Sequence, residues 1–181
     1  MILRRPPILR SEEPLAFEDE ANHASAVCVL IDLAEAGDAG LLADILKTSR
    51  SESVRVAAIL ASYNVVVDEP APDDQIVDAL CGILLNDNGA YEERSAALST
   101  LASSQSTKAR MAIVTAVELS DIRIQAQAIL ILIEDDFTRY RDLVERRVAS
   151  WPEKVPYPAT DVVAIIRDYQ GKKDTSPAPS E

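Results

Sequence analysis

The chain has 181 residues, of which 48% are hydrophobic, 27% charged and only 4% aromatic, which is the composition of one globular domain. Thirty acidic residues against 18 basic ones give a net charge of −12, which opposes binding to nucleic-acid phosphate or to anionic lipid. We therefore predict no nucleic-acid partner. Apolar residues that are mostly Ala, Leu, Ile and Val with few aromatics favour closely packed helices, so an all-α fold is predicted.

The first 20 residues mix proline, arginine and acidic residues without periodicity, and this pattern predicts an irregular N-terminal arm. From 21 to 36, apolar residues at spacings of three and four predict a helix that ends at Gly37 or Gly40. A second helix begins at Leu41, and after a polar turn a third runs from Val54 to Val67. Pro70 and Pro72 then interrupt the chain, because proline removes a backbone donor and clashes with the preceding turn.

Four further helices are predicted downstream, starting with one that Asp73 caps and that buries residues between Ile76 and Leu84. The turn at 86–89 precedes a helix over 91–103, and polar turns separate it from helices at 107–117 and 122–133. An arginine stands three residues before an alanine in three of the alternate helices: Arg55 and Ala58, Arg94 and Ala97, Arg123 and Ala126. This recurrence predicts stacked helical pairs that share one core.

The segments 41–67, 75–103 and 107–134, with their polar turns leading into an Ala-rich helix, resemble the HEAT and HEAT-like repeat family. The resemblance covers about residues 21–136. It implies a short right-handed α-solenoid of stacked antiparallel helical hairpins whose second helices line a concave side. It also implies that the repeated arginine bonds an acidic residue at a repeat turn, for which Glu52 and Asp121 are the candidates. The family's usual proline in the first helix is absent, and Gln125 replaces the first alanine of the pair.

The C-terminal part departs from this pattern. Phe137, Tyr140, Val144, Val148 and Trp151 predict a helix with an aromatic inner face, followed by a last helix from Thr160 to Tyr169. We therefore predict a solenoid domain over 21–170, with 136–170 as a capping helix pair, and a disordered tail over 171–181. Both cysteines, Cys28 and Cys81, are predicted to be buried, with no metal site and no disulfide.

The acidic run Asp68, Glu69, Asp73, Asp74 and Asp78 is the candidate protein-binding site, since it concentrates charge beside a loop that interrupts the array. The alternative is that Asp73 and Asp74 satisfy a helix start while Asp68 and Glu69 are solvated. The run lacks the glycine and the alternating spacing of a calcium loop.

Two other features of the sequence are candidate sites. His23 is the only histidine, so no histidine pair is available for a metal or for nucleophilic catalysis. Arg139, Arg141, Arg146 and Arg147 form a basic cluster, which indicates either local ion pairs with interleaved acids or a phosphate site. We therefore predict no catalytic residue, no cofactor and no metal.

The resulting functional hypothesis is a non-enzymatic scaffold or adaptor that presents an acidic helical-repeat surface to a protein partner, which we expect to be basic. The alternative is an enzyme on the same scaffold, since some HEAT-like proteins are DNA glycosylases and others resemble bilin lyases. No apolar run reaches the roughly 18 residues of a membrane span, and prolines interrupt the segment where a signal peptide needs an apolar stretch. A cytoplasmic protein without membrane contact is predicted.

Overall fold

The computed structural model describes the backbone of residues 17–67 and 74–174 and the side chains of residues 25–67 and 74–169. Within these ranges the chain forms helices and no strand, which confirms the all-α class. The helices are α1 (Phe17–Leu33), α2 (Ala39–Thr48), α3 (Glu52–Val66), α4 (Asp74–Leu85), α5 (Tyr91–Ala102), α6 (Thr107–Ala116), α7 (Ile122–Ala149) and α8 (Ala159–Asp174). A short 3-10 helix, Ala36–Asp38, precedes α2.

The helices contact one another in two series. Helices α1, α3, α5 and α7 pack side by side in one series, which we call the odd layer, and α2, α4 and α6 pack in the other, the even layer. Within each of the pairs α2/α3, α4/α5 and α6/α7, one helix of each layer packs against the other. Ala58, Ala97 and Ala128 have no exposed surface, so small side chains let neighbouring backbones approach closely.

One polar side chain recurs at the fourth residue of α3, α5 and α7. Arg55 donates to the carbonyl of Ser49 at 2.9 Å, and Arg94 donates to the carbonyl of Leu84 at 3.3 Å. In α7 this position belongs to Gln125, whose amide donates to the carbonyl of Leu119. The predicted register at Arg123 is therefore wrong by two residues, because a glutamine takes over the bond to the preceding turn.

Several predicted boundaries shift in the structure. Helix α1 begins at Phe17, inside the predicted arm, and α8 runs to Asp174, through Gly171 and into the predicted tail. A single glycine costs a helix only about 1 kcal/mol, so Gly171 does not have to end α8. The remainder of the arm (1–16), the proline loop (68–73) and the remainder of the tail (175–181) lie outside the described residues.

The two cysteines have different environments. Cys81 is buried as predicted, and burial raises the pKa of its thiol. Cys28 is exposed, which corrects the prediction. Among the described helices α1 packs on α3 alone, and part of its apolar surface is exposed, including Val29 and Leu33.

The C-terminal segment turns at a kink in α7. Asp136 has extended backbone angles (φ −163°, ψ 89°) inside this helix, at the position where the cap was predicted to begin. Helix α8 packs against α7, and the rings of Phe137 and Tyr169 lie 4.4 Å apart. Trp151 is half-buried and its indole N–H donates to Gln125 Oε1 at 2.5 Å. This bond connects the segment after α7 to the first turn of that helix.

Candidate functional site

The predicted acidic run is only partly within the described residues. Asp68, Glu69 and Asp73 lie outside them. Asp74 is exposed in the first turn of α4, where a carboxylate favours the positive end of the helix dipole. Asp78 is exposed one turn later and forms an ion pair with Lys108 of α6, a contact that raises the pKa of this lysine. Asp78 is therefore partly neutralised by a residue that the sequence pattern did not connect with it.

A groove opens on the other layer, across α1, α3 and α5. Its volume is about 1010 Å³. Helix α3 contributes two large side chains, Leu60 and Tyr63, each 45% exposed, and α5 contributes small ones at Ser95, Ala96 and Ser99. The remaining lining residues are Ile31, Asp32, Asn64, Tyr91, Glu92, Thr100 and Ser103. The helical hairpins therefore leave an open, partly apolar trough on the odd layer.

The groove follows from the residue pattern of α5. Ser95, Ser99 and Ser103 recur at every fourth position, so they share one face of the helix and leave space above it. Two bonds hold the neighbouring helices in place. The buried Thr100 hydroxyl donates to the carbonyl of Ile59 at 3.3 Å, and Asn64 donates to the carbonyl of Ile31 at 2.5 Å. The groove is thus fixed by contacts between helices rather than by a loop.

The charges that line the groove are negative. Asp32 and Glu92 are both exposed, and neither takes part in an ion pair with another described residue. Arg123 lies beside the groove: its guanidinium is 3.9 Å from the centre of the Tyr91 ring and pairs with Asp121 at 2.8 Å. The groove therefore offers apolar surface with two exposed carboxylates, of which Glu92 also interacts electrostatically with Arg123.

Most basic side chains in the described ranges are held in internal ion pairs. Arg55 joins Glu93 of the next helical pair at 2.5 Å, and Arg94, only 2% exposed, joins Asp87 at 3.1 Å. The other paired cations are Lys108, Arg110, Arg123, Arg141, Arg146 and Arg147. The charge left over on the surface is therefore mainly acidic.

The family resemblance predicts that the repeated arginines bond acidic residues at repeat turns. Asp121 does so with Arg123, and this guanidinium holds the pKa of Asp121 below its usual range. Glu52 is the wrong partner for Arg55, because Glu93 of the neighbouring helix lies within direct reach. At the intervening turn Asp87 accepts from the Ser120 amide and from Arg94. Hydrogen bonding with Ser120, its side chain first and its backbone second, lowers the pKa of Asp87, and Arg94 adds to this effect.

The basic cluster of α7 is largely paired. Arg141 bonds Glu145 one turn away at 2.9 Å, as predicted for local ion pairs, whereas Arg146 and Arg147 reach Glu118 beyond the end of α6. The guanidinium carbon of Arg139 lies 5.3 Å from the centre of the Tyr140 ring. These contacts favour ion pairs over a phosphate site. The side chain of His23 lies outside the described part of α1.

Across the described part of the chain, no group of three His, Cys, Asp or Glu side chains is arranged to hold a metal ion. The same ranges contain no helix with the length and apolar character of a membrane span. No protein-family model, curated protein or solved structure matches the chain.

Proposed function

We propose that this protein is a non-enzymatic interaction module, a right-handed HEAT-like α-solenoid of helical hairpins that presents an acidic surface to a basic protein partner in the cytoplasm. Two observations support the architecture. The odd and even helices pack in separate series, and the fourth residue of α3, α5 and α7 bonds the preceding turn each time. A stacked array of this kind is a rigid frame whose outer side chains are available for recognition.

The observation that carries the functional proposal is the uneven pairing of charge. Cations such as Arg55 and Arg94 are held inside the array, while Asp32, Asp74 and Glu92 face solvent without an ion pair to any described residue. Together with the net charge of −12, this arrangement attracts a positively charged protein and speeds its encounter. A nucleic acid would be repelled by the same field.

The acidic run stays part of this proposal as a protein-binding surface, comprising Asp68, Glu69, Asp73, Asp74 and Asp78. Its described members are not equivalent. Asp78 is paired directly with Lys108, whereas Asp74 acts on this lysine only through longer-range electrostatics. We therefore expect reversal of Asp74 to weaken binding more than reversal of Asp78.

The test is capture from a cell lysate on immobilised full-length protein at about 50 mM and about 300 mM salt, because the higher salt shortens the reach of electrostatic attraction. The proposal predicts that one or a few basic proteins bind, that their retention falls at the higher salt and that Asp74→Lys reduces it. Retention of only neutral or acidic proteins, unaffected by salt, would overturn it.

The enzyme alternative is tested separately by thermal shift. Oligonucleotides, nucleotides and divalent metals are each added to the protein, and ligand binding to the folded state would raise Tm. We expect no rise with any of them. A saturable rise with an oligonucleotide would favour the glycosylase-like alternative instead.

A further inference from the structure

We propose that the groove across α1, α3 and α5 is the docking site for an amphipathic helix of the partner protein, with a stripe of apolar side chains between two clusters of Lys or Arg. This inference rests on the proposed function and specifies the partner's chemistry. It places docking on the odd layer, whereas Asp74 and Asp78 belong to α4 of the even layer.

The apolar part of the match comes from α3. Leu60 and Tyr63 are three residues apart, so they stand on the same face of the helix, and each keeps 45% of its surface exposed. Across from them Ser95, Ala96 and Ser99 of α5 leave room for side chains that enter from outside. A partner helix with apolar residues at positions i, i+3 or i+4, and i+7 would bury both large side chains.

The basic part of the match comes from two carboxylates at opposite ends of the groove. Glu92 stands in the first turn of α5, and Asp32 stands in the last turn of α1. The odd helices run in the same direction, since Arg55 and Glu93 join the starts of α3 and α5 while Asn64 joins the end of α3 to Ile31. A helix as long as α5 spans about 18 Å. The partner's basic clusters should therefore lie about three helical turns apart.

A helix suits this groove better than an extended strand. The backbone groups of α3 and α5 are already bonded within those helices, so they offer no free edge to which a strand can add. A helix satisfies its own backbone groups before it docks, and only its side chains need partners in the groove.

The experiment uses a fluorescein-labelled helical peptide of about 16 residues, with leucines on one face and lysines clustered at both ends. Its binding to the full-length protein is measured by fluorescence anisotropy. The control peptide has the same composition and charge, but its leucines are distributed around the helix, so it has no apolar stripe. We expect the striped peptide to bind at least about tenfold more tightly.

Groove variants are compared with matched variants elsewhere. Leu60→Ser with Tyr63→Ser removes the exposed apolar pair, and Met111→Ser is its control because Met111 is 65% exposed on α6. Glu92→Lys reverses a groove charge, and Asp44→Lys reverses an exposed charge on α2 of the other layer. Both groove variants should bind the striped peptide at least about tenfold more weakly than the original protein, and both control variants less than about twofold more weakly. All four replace exposed side chains, and circular dichroism checks that each variant is folded.

The outcomes separate this inference from the proposed function. Equal weakening by Glu92→Lys and Asp44→Lys, equal binding of both peptides, or no saturable binding of the striped peptide would overturn docking in the groove. In each case, salt-sensitive capture of a basic protein from lysate would still uphold the interaction module. Loss of that capture as well would overturn both.

Discussion

The ion pair between Arg55 and Glu93 links two consecutive helical hairpins, and its removal should destabilise the whole array. Arg55 Nε and Nη2 donate to the same oxygen, Glu93 Oε1, at 3.1 and 2.5 Å. The side chains are 24% and 9% exposed, so both charges are largely withdrawn from water. Glu93→Ala leaves the guanidinium with its bond to the carbonyl of Ser49 and without a carboxylate.

The expected cost follows from this geometry. Removing one partner of a fully buried ion pair costs about 3–5 kcal/mol, because the remaining charge is uncompensated. Arg55 reaches solvent with about a quarter of its side chain and keeps one hydrogen bond, and both features reduce that cost. We therefore expect the free energy of unfolding to fall by about 2–3 kcal/mol and Tm by about 5–10 °C.

Urea denaturation followed by far-ultraviolet circular dichroism measures this loss. A double variant completes the test: Arg55→Met with Glu93→Leu replaces both charges by apolar groups and should recover stability to within about 1 kcal/mol of the original. Glu118→Gln is the control, since its half-exposed contacts with Arg146 and Arg147 should contribute less than about 0.5 kcal/mol. If Glu93→Ala costs no more than this control, the proposed link between hairpins contributes nothing and the reasoning fails.

Three further predictions concern the core, the cap and acid stability. Ala97→Leu inserts three carbon atoms where no surface is exposed, so overpacking should lower the free energy of unfolding by about 1–3 kcal/mol in urea denaturation. Gln125→Ala removes the hydrogen-bond partner of the Leu119 carbonyl and of the Trp151 indole, which should lower the free energy of unfolding by about 1–3 kcal/mol. The fluorescence emission of Trp151, the only tryptophan, should shift to longer wavelength. In the folded protein the pKa of Asp121 lies below its ordinary 3.8, so this carboxylate stabilises the fold above pH 3.8, and the stabilisation is lost as the pH falls through the folded pKa. Asp121→Asn should therefore reduce the loss of unfolding free energy at acid pH.

Each of these predictions has a result that contradicts it. Unchanged stability in Ala97→Leu would mean that the odd-layer helices do not pack as closely as the structure places them. An unaltered emission maximum in Gln125→Ala would separate Trp151 from the third helical pair. For Asp121, an equal loss of stability below pH 3.8 in the original and the Asn variant would assign the acid sensitivity to other carboxylates.

Much of the fold could be predicted from local patterns. Apolar spacing indicated the helices, and polar turns placed the starts of α3, α5, α6 and α7 within about two residues. The kink at Asp136 coincides with the predicted start of the cap. Errors arose where a local signal is weak: Gly171 did not end α8, and a glutamine at 125 took the place of the repeated arginine.

Some properties of the candidate sites also follow from local sequence, and others depend on how the helices pack. Exposure of Asp74 follows from its place at a helix start, and burial of Cys81 follows from its apolar neighbours along the helix. By contrast, exposure of Cys28 depends on α1 packing on α3 alone among the described helices, and pairing of Asp78 depends on α6 lying beside α4. The four-residue spacing of serines in α5 was a signal for the groove, but its meaning depends on the neighbouring helix.

The sequence by itself determined where helices form and which stripe of each is apolar, because backbone bonds and side-chain periodicity act over three to four residues. Only the tertiary structure decided which charges meet and where the surface is hollow. Arg55 reaches Glu93 across 38 positions, and Leu60 faces the small side chains of α5 only when α3 and α5 pack side by side. These contacts depend on how whole helices stack, and that is set by the summed fit of many buried side chains rather than by any local pattern.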